Sequence, residues 1–103
     1  MINYKKILDK IEEKGISTYE IRQTGMIPQS TLTKFKKSSG NDFDEVKEKL
    51  EKYYEENGKE FAADVSTKTI EDLCQLLQCQ PMDLIDWKVE LKPELSYENR
   101  YKK

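Results

Sequence analysis

The sequence has no histidine, so the side chain that most often serves as a general base near neutral pH is missing. It has only two cysteines, Cys74 and Cys79. With no histidine to join them, a zinc site would lack ligands, and a disulfide is not expected in a reducing compartment. Cys74 reads instead as a small apolar residue on a helix, with Cys79 just after it. The glycines, Gly15, Gly25, Gly40 and Gly58, stand far apart, which excludes a glycine-rich phosphate loop. No apolar run approaches the roughly 20 residues that span a bilayer, and no such run follows the lysines of Met1–Lys6, so no signal peptide is read there. The expectation is a cytoplasmic protein that is not an enzyme and carries neither metal nor cofactor.

Charge is plentiful. Charged residues make up 37% of the 103 positions and hydrophobic residues 36%, which is enough for one compact helical unit with solvated faces. The net charge of −2 is unevenly spread. Residues 1–40 hold eight Lys/Arg against four Asp/Glu, a net of +4. Residues 41–65 hold four against nine, a net of −5, and residues 66–103 hold six against seven, a net of −1. The basic third lies at the front, and one short segment supplies the acidity.

Hydrophobic spacing predicts the helices. Tyr4, Ile7, Leu8 and Ile11 mark one helical face, so a first helix is expected over about Tyr4 to Lys14, stopped by Gly15. Ser17-Thr18-Tyr19-Glu20 is a capping-box start, with Ile16 placed to staple onto Ile21, and the second helix runs through about Thr24 to Gly25. Met26-Ile27 form an apolar turn. Pro28 suits the first position of a third helix reaching Lys37. In that helix Pro28, Leu32 and Phe35 cluster on one side, while Ser30, Thr33, Lys34 and Lys37 point the other way and Gln29 sits near the start.

A loop, Ser38-Ser39-Gly40-Asn41, precedes an amphipathic helix of about Asp42 to Glu56, striped by Phe43, Val46, Leu50, Tyr53 and Tyr54 and closed by Asn57-Gly58. Lys59 to Val65 reads either as a helical turn or as an irregular return. Ser66 caps a helix over Thr67 to Leu77, and a short helix is expected from Pro81 to about Ile85. Trp87, Val89 and Leu91 alternate with Lys88 and Glu90, which predicts a short strand with Met1-Ile2-Asn3 as its partner. Pro93 to Lys103 reads as a polar tail, with Leu95, Tyr97 and Tyr101 as residues able to dock.

Two crossed short helices, the second exposing polar groups, follow the helix-turn-helix plan. The run Lys14 to Arg22, then Gln29 to Phe35, then Val65 to Pro81 and the Asp83-Leu84-Ile85 ending resemble the Cro/repressor-like (XRE-type) helix-turn-helix family in a small stand-alone form. The resemblance implies a mainly α fold: a lambda-repressor-like bundle of about five helices with an inserted amphipathic helix and a short terminal two-stranded sheet. It divides the chain into one domain over residues 1–92, interrupted by an insertion at 38–65, and a tail at 93–103. Two features depart from the family pattern. The turn from Gly25 to Leu32 is one residue longer than usual, and the insertion stands where family members have a few residues.

The resemblance also implies a function: sequence-specific binding of double-stranded DNA by a repressor-like transcriptional regulator, with the third helix in the major groove. Carried over by position, Gln29, Ser30, Thr33 and Lys34 are the base-edge residues. Their chemistry fits, since Gln pairs with adenine, Lys donates to guanine, and Ser and Thr serve either. Ser17, Thr18, Arg22, Lys36 and Lys37 are candidates for phosphate contacts, with Lys10 a further one. The competing reading of each is a plain solvated face. Tyr19 reads as a core residue ahead of a phosphate contact through its hydroxyl. The stripe Phe43, Val46, Leu50, Tyr53, Tyr54 reads either as self-docking or as an interface for a second subunit or a protein partner. A protein-interaction module using the acidic segment 41–65 is the alternative function, and a homodimer is a family-implied option.

Overall fold

A computed structural model of the chain describes residues 1–102. In order it forms β1 (Ile2–Asn3), α1 (Lys5–Glu13), α2 (Thr18–Thr24), α3 (Gln29–Lys37), α4 (Phe43–Asn57), α5 (Thr67–Leu77), a 3₁₀ turn (Pro81–Asp83), β2 (Asp86–Trp87), a second 3₁₀ turn (Pro93–Leu95) and α6 (Tyr97–Arg100). The fold is mainly helical, with one antiparallel two-stranded sheet in which Ile2 faces Trp87 and Asn3 faces Asp86.

The apolar stripes meet in one core. Tyr4, Ile7 and Ile11 from the first helical stripe, Ile21 from α2, Ile27 from the turn, Leu32 and Phe35 from α3, Leu73 and Leu77 from α5, and Leu84 are all buried together. Burying each such side chain stabilises the fold by roughly 1.5–3 kcal/mol. The Tyr4 and Phe35 rings pack with centroids 4.8 Å apart in a tilted arrangement. The Tyr4 hydroxyl donates to the Ala63 carbonyl, so the aromatic core reaches the segment that returns from α4.

Local chemistry fixes the helix ends. Gly15, Gly25 and Gly58 adopt left-handed φ values of 71°, 68° and 70°, which a residue with a Cβ rarely tolerates. The Ser17, Asp42 and Ser66 side chains accept from the N–H groups of Glu20, Glu45 and Thr69. α5 ends on Gln78, at φ 52° the one described non-glycine residue with positive φ.

A buried polar clamp joins the N-terminus to the loop after α3. Asn3 Nδ2 donates to the Gly40 carbonyl at 2.8 Å, while Asn3 Oδ1 accepts from Gly40 N–H at 3.2 Å and Lys5 N–H at 3.0 Å. Ser38 Oγ donates to the Ile2 carbonyl at 2.6 Å, and Tyr4 N–H donates to the Ser38 carbonyl at 2.9 Å. Gly40 is packed against α4: a Cβ there would stand 3.0 Å from Glu45 Cβ and 3.2 Å from Val46 N. Glycine at this position is therefore a matter of space rather than of φ.

Several local expectations need correction. Pro28 is the N-cap of α3, not its first helical residue. Its ψ of 143° is extended, and its carbonyl accepts the first helical bond from Leu32. At α2 the Ser17 half of the capping box forms, at 3.0 Å, but Glu20 makes no return bond to Ser17 N–H among the described residues. The expected helix from Pro81 to Ile85 is a 3₁₀ turn ending at Asp83. Tyr19 is 72% exposed rather than part of the core, because α2 turns only Ile21 fully inward, while of the two readings of Lys59 to Val65 the irregular return is the one that forms. The expected strand at Trp87 to Leu91 shortens to Asp86–Trp87, since β1 offers only two residues to pair. Leu95, Tyr97 and Tyr101 stay exposed although α6 is helical, and Lys103 lies outside the described residues. The radius of gyration, 16.1 Å, exceeds the roughly 13 Å of a compact chain of this length.

Candidate nucleic-acid interface

α3 carries the surface that the sequence pointed to. Leu32 and Phe35 are buried and hold the helix to the core, so the opposite side is forced outward. Gln29, Ser30, Thr33, Lys36 and Lys37 are exposed, and Lys34 is half-buried. No side chain caps the first turn of α3. Ser17, Thr18 and Arg22 on α2 are exposed as well. At the far end, Lys49 of α4 donates to the Ser39 carbonyl at 2.7 Å and to the Lys36 carbonyl at 3.3 Å. A cation there complements the negative end of the α3 dipole.

Hydrogen bonding limits what two of these residues offer. The Thr33 hydroxyl donates to the Gln29 carbonyl at 2.9 Å, which leaves its oxygen as an acceptor toward an outside group. The Lys34 ammonium donates to the Asp64 carbonyl at 2.8 Å. Both bonds are exposed at the surface.

The segment after α3 borders this face, a feature that sequence spacing did not reveal. Ser30, Thr33 and Lys34 share a shallow recess with Tyr53, Lys59, Glu60, Phe61 and Ala62. The Lys37 ammonium lies 5.4 Å from the centre of the Tyr53 ring, a cation–π contact. Tyr53 in turn meets Phe61 edge-on at 5.0 Å. Two of the three α3 lysines are thus engaged by residues 53–64, and only Lys36 projects without such a contact. The acidic segment flanks the polar face of α3 and leaves Gln29, Ser30 and Thr33 open.

The stripe of α4 is divided by this packing. Val46 is fully buried, while Phe43, Leu50 and Tyr53 are half-buried. Tyr54 is 54% exposed and borders a second recess with Met1, Leu50 and Phe61. The stripe therefore docks on its own chain at one edge and faces solvent at the other.

Elsewhere the surface offers less chemistry. Cys74 and Cys79 are half-buried free thiols, and burial, followed by the neighbouring Cys79, pushes the Cys74 thiol pKa upward, away from the reactive thiolate. Among the described residues no three His, Cys, Asp or Glu side chains gather as a metal-holding group. No helix of the described residues is long and apolar enough to cross a membrane.

Two short helices joined across Gly25 to Pro28 share a core with α1 and α5, and the second presents a polar face, which is a helix-turn-helix arrangement. Residues 47–90 match the family model of the Cro/C1-type helix-turn-helix DNA-binding domain, the same family that the sequence resembles. The matched stretch takes in most of α4, the return, α5 and β2, and lies beyond α2 and α3. No curated protein and no solved structure matches the chain.

Proposed function

We propose that this chain binds double-stranded DNA in a sequence-specific way and acts in the cytoplasm as a repressor-like transcriptional regulator. The observation that carries this reading is the outward face of α3, where Gln29, Ser30 and Thr33 are exposed opposite the buried Leu32 and Phe35. A helix held this way enters a major groove with its first residues at the base edges. Gln29 reads adenine, Ser30 donates or accepts, and Thr33 accepts. Lys34 reads guanine once its bond to the Asp64 carbonyl is exchanged for a base. Arg22, Lys36 and Lys37, with the Ser17–Thr18 end of α2, hold phosphates. The working domain is residues 1–92 with the insertion at 38–65, followed by the 93–103 tail.

Selection from a random duplex pool at low salt tests this directly. An enriched site should emerge, and its affinity should fall steeply with salt. Lys34→Ala should cost about 1–3 kcal/mol on that site and relax its specificity at one position. If no duplex is enriched even at low salt, the proposal fails.

A second reading rests on a separate observation. The 41–65 segment carries a net charge of −5, and its free edge joins exposed Tyr54 to Leu50 and Phe61. Those features suit a protein partner with a basic, apolar-centred surface. Reversing the exposed Glu48, Glu51 and Glu55 to lysine should abolish capture of such a partner and leave the fold intact. Capture that survives the reversal would remove this reading.

A further inference from the structure

Cys74 and Cys79 stand at the two ends of one local motif. Gln78 takes the left-handed conformation at φ 52° and ψ 58°, which ends α5 and turns the chain back. The Gln78 N–H donates to the Cys74 carbonyl, and the Cys79 N–H donates to the same carbonyl at 3.1 Å. A helix end closed in this way brings the side chains of the first and last residues of the closure together. Those two residues are the cysteines, so both thiols of the sequence meet in one turn.

Distance supports the pairing. Standard bond lengths and the 3.1 Å hydrogen bond hold the two Cα atoms at most about 7 Å apart, and the angles at nitrogen and oxygen bring them closer. Bridged cysteines have Cα atoms about 4.4–6.8 Å apart. The backbone therefore needs no large rearrangement to carry a bridge. Both cysteines are free and half-buried against the core. Both border an open recess with Gln75, Gln78, Gln80 and Asp83, from which a small solute reaches the sulfurs.

We propose that Cys74 and Cys79 form a redox-active dithiol, which a hydroperoxide converts to an intrachain disulfide and low-molecular-weight thiols return to the reduced state. Burial holds Cys74 in its thiol form, so Cys79 meets the peroxide first. The Cys79 sulfur, as thiolate, attacks one oxygen of hydrogen peroxide. The O–O bond breaks, leaving a sulfenic acid on Cys79 and, after protonation, one water. The Cys74 sulfur then attacks the Cys79 sulfur. The S–S bond forms, the S–O bond breaks, and the leaving hydroxide takes the Cys74 proton as a second water. Two thiols lose two electrons and two protons, and one peroxide becomes two waters. Such a bridge is transient in a reducing compartment and forms under oxidation.

The bridge closes a ring across the end of α5, whose Leu73 and Leu77 lie in the core. It fixes the turn in the conformation already present, so oxidation stabilises the fold. Leu73 and Leu76 of the same helix border Met26, Ile27 and Pro28, between α2 and α3. Oxidation thus stiffens the helix that backs this turn, whatever the α3 face binds.

Hydrogen peroxide added to the full chain, followed by N-ethylmaleimide and intact-mass measurement, tests the idea. The oxidised chain should run as a single chain on a non-reducing gel, lose the mass of two hydrogens and take no label. Dithiothreitol should restore both labels. Dimedone should trap a sulfenic acid on Cys79 in Cys74→Ser and none on Cys74 in Cys79→Ser. Equilibration in glutathione redox buffers measures the geometry. The disulfide should be favoured at least about tenfold more in the folded chain than in the same chain unfolded in urea, because the turn aligns the thiols. By linkage, the melting temperature should rise by about 5 °C or more on oxidation. Further oxidation of single thiols without a bridge, or links only between chains, overturns the proposal. So does a disulfide equally favoured in the folded and the unfolded chain, or one that lowers the melting temperature. Dimedone trapped on Cys74 overturns the order of attack.

Discussion

Replacing Asn3 with alanine should destabilise this protein more than its small side chain suggests. Asn3 is 5% exposed and makes three hydrogen bonds, two of them to the N–H and carbonyl of Gly40, 37 residues away. Alanine leaves both buried Gly40 groups without partners, at about 1–3 kcal/mol each where water cannot replace the amide. The third bond, to Lys5 N–H, lies at the edge of the fold where water substitutes more easily. A total loss of roughly 3 kcal/mol follows, a large share of the 5–15 kcal/mol that stabilises a typical domain.

Urea unfolding followed by far-ultraviolet circular dichroism measures this loss. The midpoint should fall while the slope stays constant, and the melting temperature should drop by more than about 10 °C. Asn3→Asp adds a second check. It keeps the acceptor for Gly40 N–H but sets a carboxylate against the Gly40 carbonyl, so it should be nearly as damaging at neutral pH. It should recover partly below about pH 4, where a protonated carboxyl donates. An Asn3→Ala loss under about 1 kcal/mol would refute the view that this clamp joins the N-terminus to the loop after α3.

Other outcomes follow from the same structure. Gly40→Ala should cost about 1–3 kcal/mol in the same urea assay, because the added Cβ meets Glu45 Cβ and the Val46 backbone nitrogen. Burial, helped by the nearby Asp64 charge, pushes the Tyr4 hydroxyl up to about 12, while in the unfolded chain it titrates near the ordinary tyrosine value of 10.0. Its contribution is whole below pH 10 and is lost as pH rises toward 12, so alkaline unfolding should ease by about 2 kcal/mol across that window and Tyr4→Phe should flatten the dependence. Gln78→Gly should raise stability by up to about 1 kcal/mol in thermal melts, as glycine takes the left-handed φ of 52° without strain. Lys49→Met should lower stability by about 1 kcal/mol, because it uncovers the Ser39 carbonyl after α3, while the Lys36 carbonyl keeps its bond from Ser39 Oγ.

Local physics made much of the fold legible before any coordinates. The starts of α2 and α5 follow from Ser17 and Ser66 as caps and the ends of α2 and α4 from Gly25 and Gly58 as stops, all of which act within one turn of their own position; at α4 the structure selects Asp42 over Asn41 as the cap. The outward face of α3 was legible for the same reason: Leu32 and Phe35 fix its inner side by helical spacing alone. The pairing of β1 with β2 was also readable, though not its length.

Apart from that strand pairing, tertiary structure decided what depends on residues far apart in the chain. No spacing rule brings Asn3 to Gly40, or Tyr4 to Ala63, because these contacts exist only after α1, α3 and α4 have packed. The same packing brings the return after α4 beside α3, occupies Lys34 and Lys37, and leaves Gln29, Ser30 and Thr33 free. Sequence specified which groups α3 presents, since helical periodicity is local. The fold specified which of them stay open, since access depends on where a distant segment comes to rest.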